Sequence, residues 1–469
     1  MWTQRDQIQA YQFLRRRLVS ALVAADANHP TSPSRRLVLG TILGVAAAVL
    51  TAAVFGVLGL LNPSSTANWK QGGQVIVEQD TGARYILGKD GRLYPVLNYA
   101  SARLLAAGNG TATATVSAQA LSSVSRGPML GIPGAPDSLP TGTAMADHVF
   151  TVCSRTSPNQ PTGVEPTSTL ILGSSADTGQ QALANGQGLL VSASNGQVFL
   201  VADGFRFRVP SSGTLAALHY DTISQLPVAS NWLGAVPAGP DLGLVDVSDA
   251  GSSGPDVGGQ STRVGQVLTD GEYYVVRSDG LEPVSQTEAY LITGDQHNAD
   301  AYPGNQPAPI PTSVAAISST AKSRQTGIIG LPSQLPRILA LGANPALCAT
   351  GDGTNGSVLT VGAALPLPRG AQAISTSGGG QLADQVYVPP SGGVLVREQT
   401  GLTTDTGATY LITDTGRKYQ LPSSAAIASL GYGSLTATDV AEPLLALLPN
   451  GPALDPNKAG IPVSEGGTG

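Results

Sequence analysis

Two cysteines, four histidines and a few turn-placed aspartates are the residues of this 469-residue chain whose types could carry chemistry. Zinc binding or dithiol redox work needs close spacing, such as Cys-x-x-Cys or His-Glu-x-x-His. Cys153 and Cys348 lie far apart in the chain, and His29, His148, His219 and His297 are scattered. The run Gly351-Asp-Gly353-Thr-Asn-Gly356 has the spacing of a dinucleotide loop, but that loop must follow a strand and open a helix. Here it leads into SVLTV, which reads as a strand, so the run reads as a turn. Neither the phosphate-loop pattern G-x-x-x-x-G-K-[ST] nor the nucleophile elbow G-x-S-x-G occurs. Asp90, Asp203 and Asp279 could act as acids or metal ligands, yet each occupies a turn position where aspartate is expected on conformational grounds. The sequence therefore singles out no catalytic residue, no cofactor-binding residue and no metal ligand, and it reads as leaning away from an enzyme.

Those aspartates mark a repeated element. The windows 85–96, 198–210, 273–284 and 409–422 each contain a β-branched or aromatic strand, a turn and a short return strand that runs to a proline. The turns fall at Asp90-Gly91, Asp203-Gly204, Asp279-Gly280 and Thr415-Gly416, where glycine tolerates the positive φ that tight hairpins require. After each proline comes a residue able to cap a helix (Asn98, Ser211, Ser285, Ser423) and then a run of helix formers. Glu288, three residues after Ser285, has the spacing of a capping box. The expected unit is a β-hairpin followed by a short helix, too small to bury its apolar face alone.

The spacing from turn glycine to proline separates the first and third copies from the second and fourth, which suggests a duplication. GIPGAPDSLP at 131–140 recurs as GIIGLPSQLP at 327–336, and VPAGPDL at 236–242 recurs as LPNGPAL at 448–454. Two halves follow, roughly 70–245 and 262–455. Cys153 and Cys348 fall at matching points of these halves, where a pseudo-twofold axis would bring them together. On an exported domain that implies a disulfide between them, with two free buried thiols as the competing reading.

Residues 37–61 form 25 uncharged residues, which at about 1.5 Å rise can cross a hydrocarbon core of about 30 Å with some tilt. Six basic residues precede them (Arg5, Arg15, Arg16, Arg17, Arg35, Arg36) against Asp6 and Asp26, so the positive-inside rule places the N-terminus in the cytoplasm. Trp69 and Lys70 are placed to serve as an outer interfacial anchor. Ahead of the span, Ile8, Tyr11, Leu14, Leu18 and Leu22 recur at helical spacing around the arginine triplet. That face suits either the anionic inner leaflet or another subunit, and periodicity does not choose between them.

Composition narrows the class further. Charged residues are only 12% of the chain, Gly (58) and Pro (34) are abundant, and the net charge is −6. Abundant turns are expected, and a nucleic-acid partner is not, because phosphate affinity rests on Lys and Arg.

The order of these parts resembles the EccB family of type VII (ESX) secretion systems. The arginine-rich helix RDQIQAYQFLRRRLVSALV (5–23), the single span, the repeats, the GxP-containing segments and the paired cysteines carry the resemblance. It implies an α+β fold: one transmembrane helix, then an elongated periplasmic region of four hairpin-helix repeats around a central mixed β-sheet, pseudo-twofold, with the disulfide across the core. The implied divisions are 1–36 cytoplasmic, 37–61 transmembrane and 62–450 periplasmic, with a disordered tail at 451–469. Repeats are expected near 75–108, 188–233, 263–294 and 394–433, and the core is expected from 127–180 and 325–390. The resemblance also implies an oligomeric structural subunit of the inner-membrane machinery, partnered by an EccC-type ATPase, EccD, EccE and the mycosin protease. Peptidoglycan binding is an alternative role. Family members have been described as ATPases, but no cofactor is expected from these residues.

Overall fold

The computed structural model describes residues 3–25, 33–61, 69–106, 112–145, 149–156, 165–173, 179–342, 344–376, 380–399 and 407–463. His29, His148 and the last six residues of the expected tail lie outside the described residues.

Two helices open the chain, Gln4–Ala24 and Pro33–Leu61. The second contains one uninterrupted apolar stretch, Val38–Val57, long enough to cross a bilayer and not buried by the rest of the chain. Trp69 departs from its expected interfacial role. It is 3% exposed and packs with Ile76, Tyr85, Leu93, Val116 and Leu121 in the core of the first folded unit. A broad apolar ring finds more contact there than at a bilayer edge.

Four sheets, three of four strands and one of five, share one four-strand order. In the first, Val75–Glu78 pairs antiparallel with Arg84–Leu87, which pairs with Leu93–Pro95; helix Tyr99–Leu105 then returns the chain so that Thr113–Val116 runs parallel to the first strand. A parallel neighbour requires such a crossover. The second unit repeats the plan with Gln187–Ser192, Val198–Ala202, Phe205–Val209, helix Ser212–Ala217 and Leu226–Pro227. The third uses Val267–Thr269, Tyr273–Arg277, Gly280–Val284, helix Gln286–Thr293 and Ile310–Pro311. The fourth uses Gly393–Gln399, Thr409–Thr413, Lys418–Leu421, helix Ser424–Ser429 and Thr438–Ala441. Each unit therefore exceeds the expected hairpin and helix by an opening strand and a closing parallel strand. The closing strands of units two and three are two residues long, too short to leave a period in the sequence.

The units also share a packing device at the edge. A following segment bridges each third strand, at Leu93 with Arg126, Arg206 with Ala238, Leu281 with Lys322 and Lys418 with Asn450. This covers backbone groups that an open edge would expose. A Cβ on Gly127, Gly239 or Gly451 would run into the ring of Tyr94, Phe207 or Tyr419, so glycine lets the covering segment lie on the aromatic. Unit three carries Glu282 at the aromatic position, buried and paired with Arg277 at 2.6 Å.

The units associate across the two halves of the chain. Helix Tyr99–Leu105 contacts Ser424–Ser429, and Ser212–Ala217 contacts Gln286–Thr293, joining unit one to four and two to three. The 131–140 and 327–336 segments are exchanged as well. Tyr432 of unit four donates to the carbonyl of Pro140 (2.8 Å), and Tyr220 of unit two donates to that of Pro336 (2.6 Å). Arg337–Ile338 even adds a strand beside Gln187–Ser192.

Between the pairs lies a seven-stranded sheet whose central strands, Phe150–Arg155 and Ala346–Gly351, come one from each half. One face packs Phe150, Val152, Leu170 and Leu347 against Trp232 of helix Ser230–Ala235 in the largest apolar cluster, with Val152, Leu170 and Trp232 fully buried.

The 451–463 stretch, expected as disordered tail, is ordered. Leu454 and Ala459 are buried with unit-four residues, helix Pro456–Ala459 contacts helix Tyr99–Leu105, and Val463 N donates to Met129 O at 2.8 Å. Its Gly and Pro content reflects a path along the seam between units one and four rather than missing structure.

Candidate functional site

The sulfur pair sits at the centre of the central sheet. Six residue pairs join Phe150–Arg155 to Ala346–Gly351 antiparallel, with Cys153 directly opposite Cys348. Alternation along a strand sends Val152 and Leu347 to the large apolar cluster and both cysteines to the other face. There the two sulfurs are bonded, with Cα atoms 4.0 Å apart, and pack against Ile171 and Tyr387. Two positions along on the same face, Thr151 and Thr350 share a hydrogen bond of 2.9 Å. Both cysteines are at most 1% exposed, so this is a structural bridge, shut off from exchange with solutes.

The turn residues lie at the hairpin tips. Gly91, Gly204, Gly280 and Gly416 adopt φ of 74°, 82°, 149° and 71°, and Asp203 adopts 51°. Asp90 accepts from Tyr94 Oη at 2.7 Å, and Asp279 accepts from the Ser323 side chain and from Arg324 N at 3.1 Å; these hydrogen bonds hold both carboxyls below the usual range. Such contacts fix turns, and the three hairpins carrying the aspartates belong to three different sheets. Among the described residues no group of three or more His, Cys, Asp or Glu side chains converges to hold a metal ion. The 351–356 loop joins strand Ala346–Gly351 to strand Val358–Gly362, with Asp352 accepting from Thr354 N (2.8 Å) and Asn355 N (3.0 Å).

A cleft that the sequence does not signal lies beside unit four. Glu398, Tyr410, Lys418, Glu442 and Asn450 line a volume of about 410 Å³. The Lys418 ammonium donates to the Leu445 carbonyl and sits 5.6 Å over the Tyr410 ring, whose hydroxyl donates to Glu398 at 3.3 Å. Burial pushes the Lys418 pKa down, against the pull of Glu398 and Glu442. Its charge is thus spent on local contacts, and the residues involved are too far apart in the chain to be read as a set.

The N-terminal helix displays a free surface. Thr3 N donates to Asp6 at 3.0 Å, closing the first turn. Ile8, Tyr11, Leu14, Leu18 and Leu22 are between 57% and 77% exposed and fall within a stripe of about 120° at 3.6 residues per turn. Arg15, Arg16 and Arg17 are exposed too, Arg17 over the ring of Phe13 at 5.8 Å. Phe13, which lies off that stripe, is an exposed apolar residue outside the expected set. Ser20 is buried where this helix contacts helix Pro33–Leu61.

An apolar helix long enough to cross a bilayer, leading into paired four-stranded units around a disulfide-bonded sheet, defines a membrane-anchored modular protein. The family model described as "Type VII secretion system ESX-1, transport TM domain B" matches residues 1–463, and the chain belongs to this EccB family. It is 26% identical over 478 residues to the ESX-5 secretion system ATPase EccB5 of Mycobacterium marinum, covering 96% of this chain and 91% of that protein. It is 28% identical over 473 residues to the ESX-1 secretion system ATPase EccB1 of Mycolicibacterium smegmatis, covering 97% and 94%. Its fold matches a chain of an intact ESX-5 inner membrane complex (TM-score 0.67, 23% identity, 100% and 97% covered). It also matches the EccB3 dimer from the ESX-3 core complex (TM-score 0.66, 27% identity, 82% and 99% covered).

Proposed function

We propose that this chain is a structural subunit of a type VII secretion inner-membrane complex, held by one spanning helix with its N-terminus in the cytoplasm and its folded body in the periplasm. The observation that carries the reading is a family match running without a break through anchor and body, residues 1–463. Six basic residues before the apolar run favour the N-in orientation, and a body closed by a disulfide suits an oxidising compartment. In this reading the exposed stripe of helix Gln4–Ala24 docks on cytoplasmic parts of partner subunits, for which an EccC-type ATPase, EccD and EccE are the candidates, with the mycosin protease near the outer body.

Nucleotide turnover is assigned to a partner. The 351–356 loop feeds a strand rather than a helix N-terminus, which leaves no ring of helix amides for a phosphate, and Lys418 is engaged by Leu445 and Tyr410.

Site-directed labelling tests the topology. With a membrane-impermeant maleimide on intact cells, Ser123→Cys is expected to label and Thr3→Cys to label only after permeabilisation. The reverse pattern overturns the orientation.

A further inference from the structure

Charge is not shared evenly among the four units. Residues 187–242, 263–324 and 393–454, spanning units two to four, carry net charges of −1, −3 and −2, whereas 69–126, spanning unit one, holds six basic and three acidic residues, a net +3. The strand order is the same in all four, so the fold does not demand the difference. Only unit one adjoins the anchor. Seven residues separate Leu61 at the end of the apolar helix from Trp69, which is itself locked in the unit's core. Fully extended, that stretch reaches about 30 Å at most, so unit one cannot leave the neighbourhood of the bilayer surface.

The exposed basic side chains of this unit include Arg92, which lies 3.8 Å from the Asp90 carboxylate on its own hairpin tip. Lys70 lies over the Trp69 ring at 5.5 Å, and Arg126 lies over Tyr85 at 5.5 Å. Arg92 precedes Leu93, which is bridged to Arg126, and Lys89 occupies the same hairpin tip. All four are exposed, around a core that contains Trp69, Tyr85 and Leu93.

We infer that unit one is a headgroup-binding module, in which Lys70, Lys89, Arg92 and Arg126 rest on anionic phospholipid in the leaflet where the anchor emerges. Contact of this kind fixes the tilt of the outer body relative to the anchor. A polybasic patch near an anionic surface gains roughly a factor of five in local binding per Lys or Arg, and the gain is screened within a Debye length. The inference rests on helix Pro33–Leu61 spanning the membrane, but not on which face the body occupies.

The test uses the full chain in nanodiscs of phosphatidylcholine alone or of an equal mixture with phosphatidylglycerol, both with a trace of headgroup-spin-labelled lipid. A fluorophore on Ser123→Cys reports contact, since Cys153 and Cys348 are bonded and buried. Strong quenching is expected only with phosphatidylglycerol. It should fall severalfold at high salt and in K89Q/R92Q/R126Q, and fall less in K70Q/K89Q, which spares the Arg126 contact with Tyr85 and guards against misfolding. Equal quenching in both lipids, or indifference to salt and to both variants, overturns the inference. Release by inorganic phosphate well beyond that by chloride at matched ionic strength also overturns it, because the site then binds free phosphate. Extraction of the unmodified chain by alkaline wash would instead defeat the anchor reading, an outcome separate from all of these.

Discussion

The hydroxyl of Tyr432 donates to the carbonyl of Pro140 across 292 residues of sequence, at 2.8 Å and in a buried setting. Tyr220 makes the same bond to Pro336 in the other pair of units. Each half of the chain thus completes the other's second unit, and the body cannot unfold one half without stripping a segment from its counterpart.

Replacing Tyr432 by Phe removes the donor and leaves the Pro140 carbonyl buried without it, a cost of about 1–3 kcal/mol. Denaturant unfolding of Y432F and Y220F should show losses of this size, and the double variant should lose close to their sum because the two bonds lie in different clusters.

Burial pushes the Tyr220 pKa up to about 12, and that of Tyr432 upward as well. A phenol whose folded pKa lies above its unfolded value of about 10 contributes stability that is fully present below pH 10 and is lost as pH rises toward 12. Melting temperature should therefore fall across that alkaline window, and fall less steeply in Y220F. An unchanged alkaline slope in Y220F would contradict the assignment.

Cys153→Ala with Cys348→Ala opens a cross-link that closes 195 residues, and about 2–5 kcal/mol of stability should go with it. The six-pair ladder between the same strands should keep the fold at low temperature. In the native protein neither thiol should react with alkylating agent without both reductant and denaturant, which mass spectrometry can read directly.

Gly451→Ala sets a Cβ against the Tyr419 ring and should cost about 1–3 kcal/mol through overpacking. Gly91→Ala meets open space and pays only the left-handed backbone penalty, about 1–2 kcal/mol. Glu282→Ala, which strands Arg277 in a mostly buried position, should cost more, about 3–5 kcal/mol. Thermal melts of the three variants give the ranking.

What the sequence disclosed was chiefly what local chemistry dictates. An uncharged 25-residue run leaves little choice but an apolar helix, and Asn98, Ser211, Ser285 and Ser423 each accept from a backbone amide three residues on. The closing parallel strands of units two and three were illegible because Leu226–Pro227 and Ile310–Pro311 are too brief to show alternation. Trp69 was misplaced because burial in a unit and seating at an interface both favour a large ring with a polar tip, and only tertiary contact decides between them. The order in 451–463 was missed for a related reason: Leu454 and Ala459 are held by units one and four together, a surface that exists only after the halves exchange. The cleft at Lys418 likewise gathers residues from separate elements that each read as surface charge.

On the proposed function, the anchor and the stripe at Ile8, Tyr11, Leu14, Leu18 and Leu22 hold this chain in a secretion complex. Native electrophoresis of mildly solubilised membranes, with mass spectrometry of the excised band, shows whether they do. The full chain should migrate in one large assembly with other type VII membrane subunits, and L14E/L18E should leave that assembly while staying in the membrane. A chain that migrates alone, or an L14E/L18E variant that assembles as the parent does, would rule out this role for the anchor and the stripe.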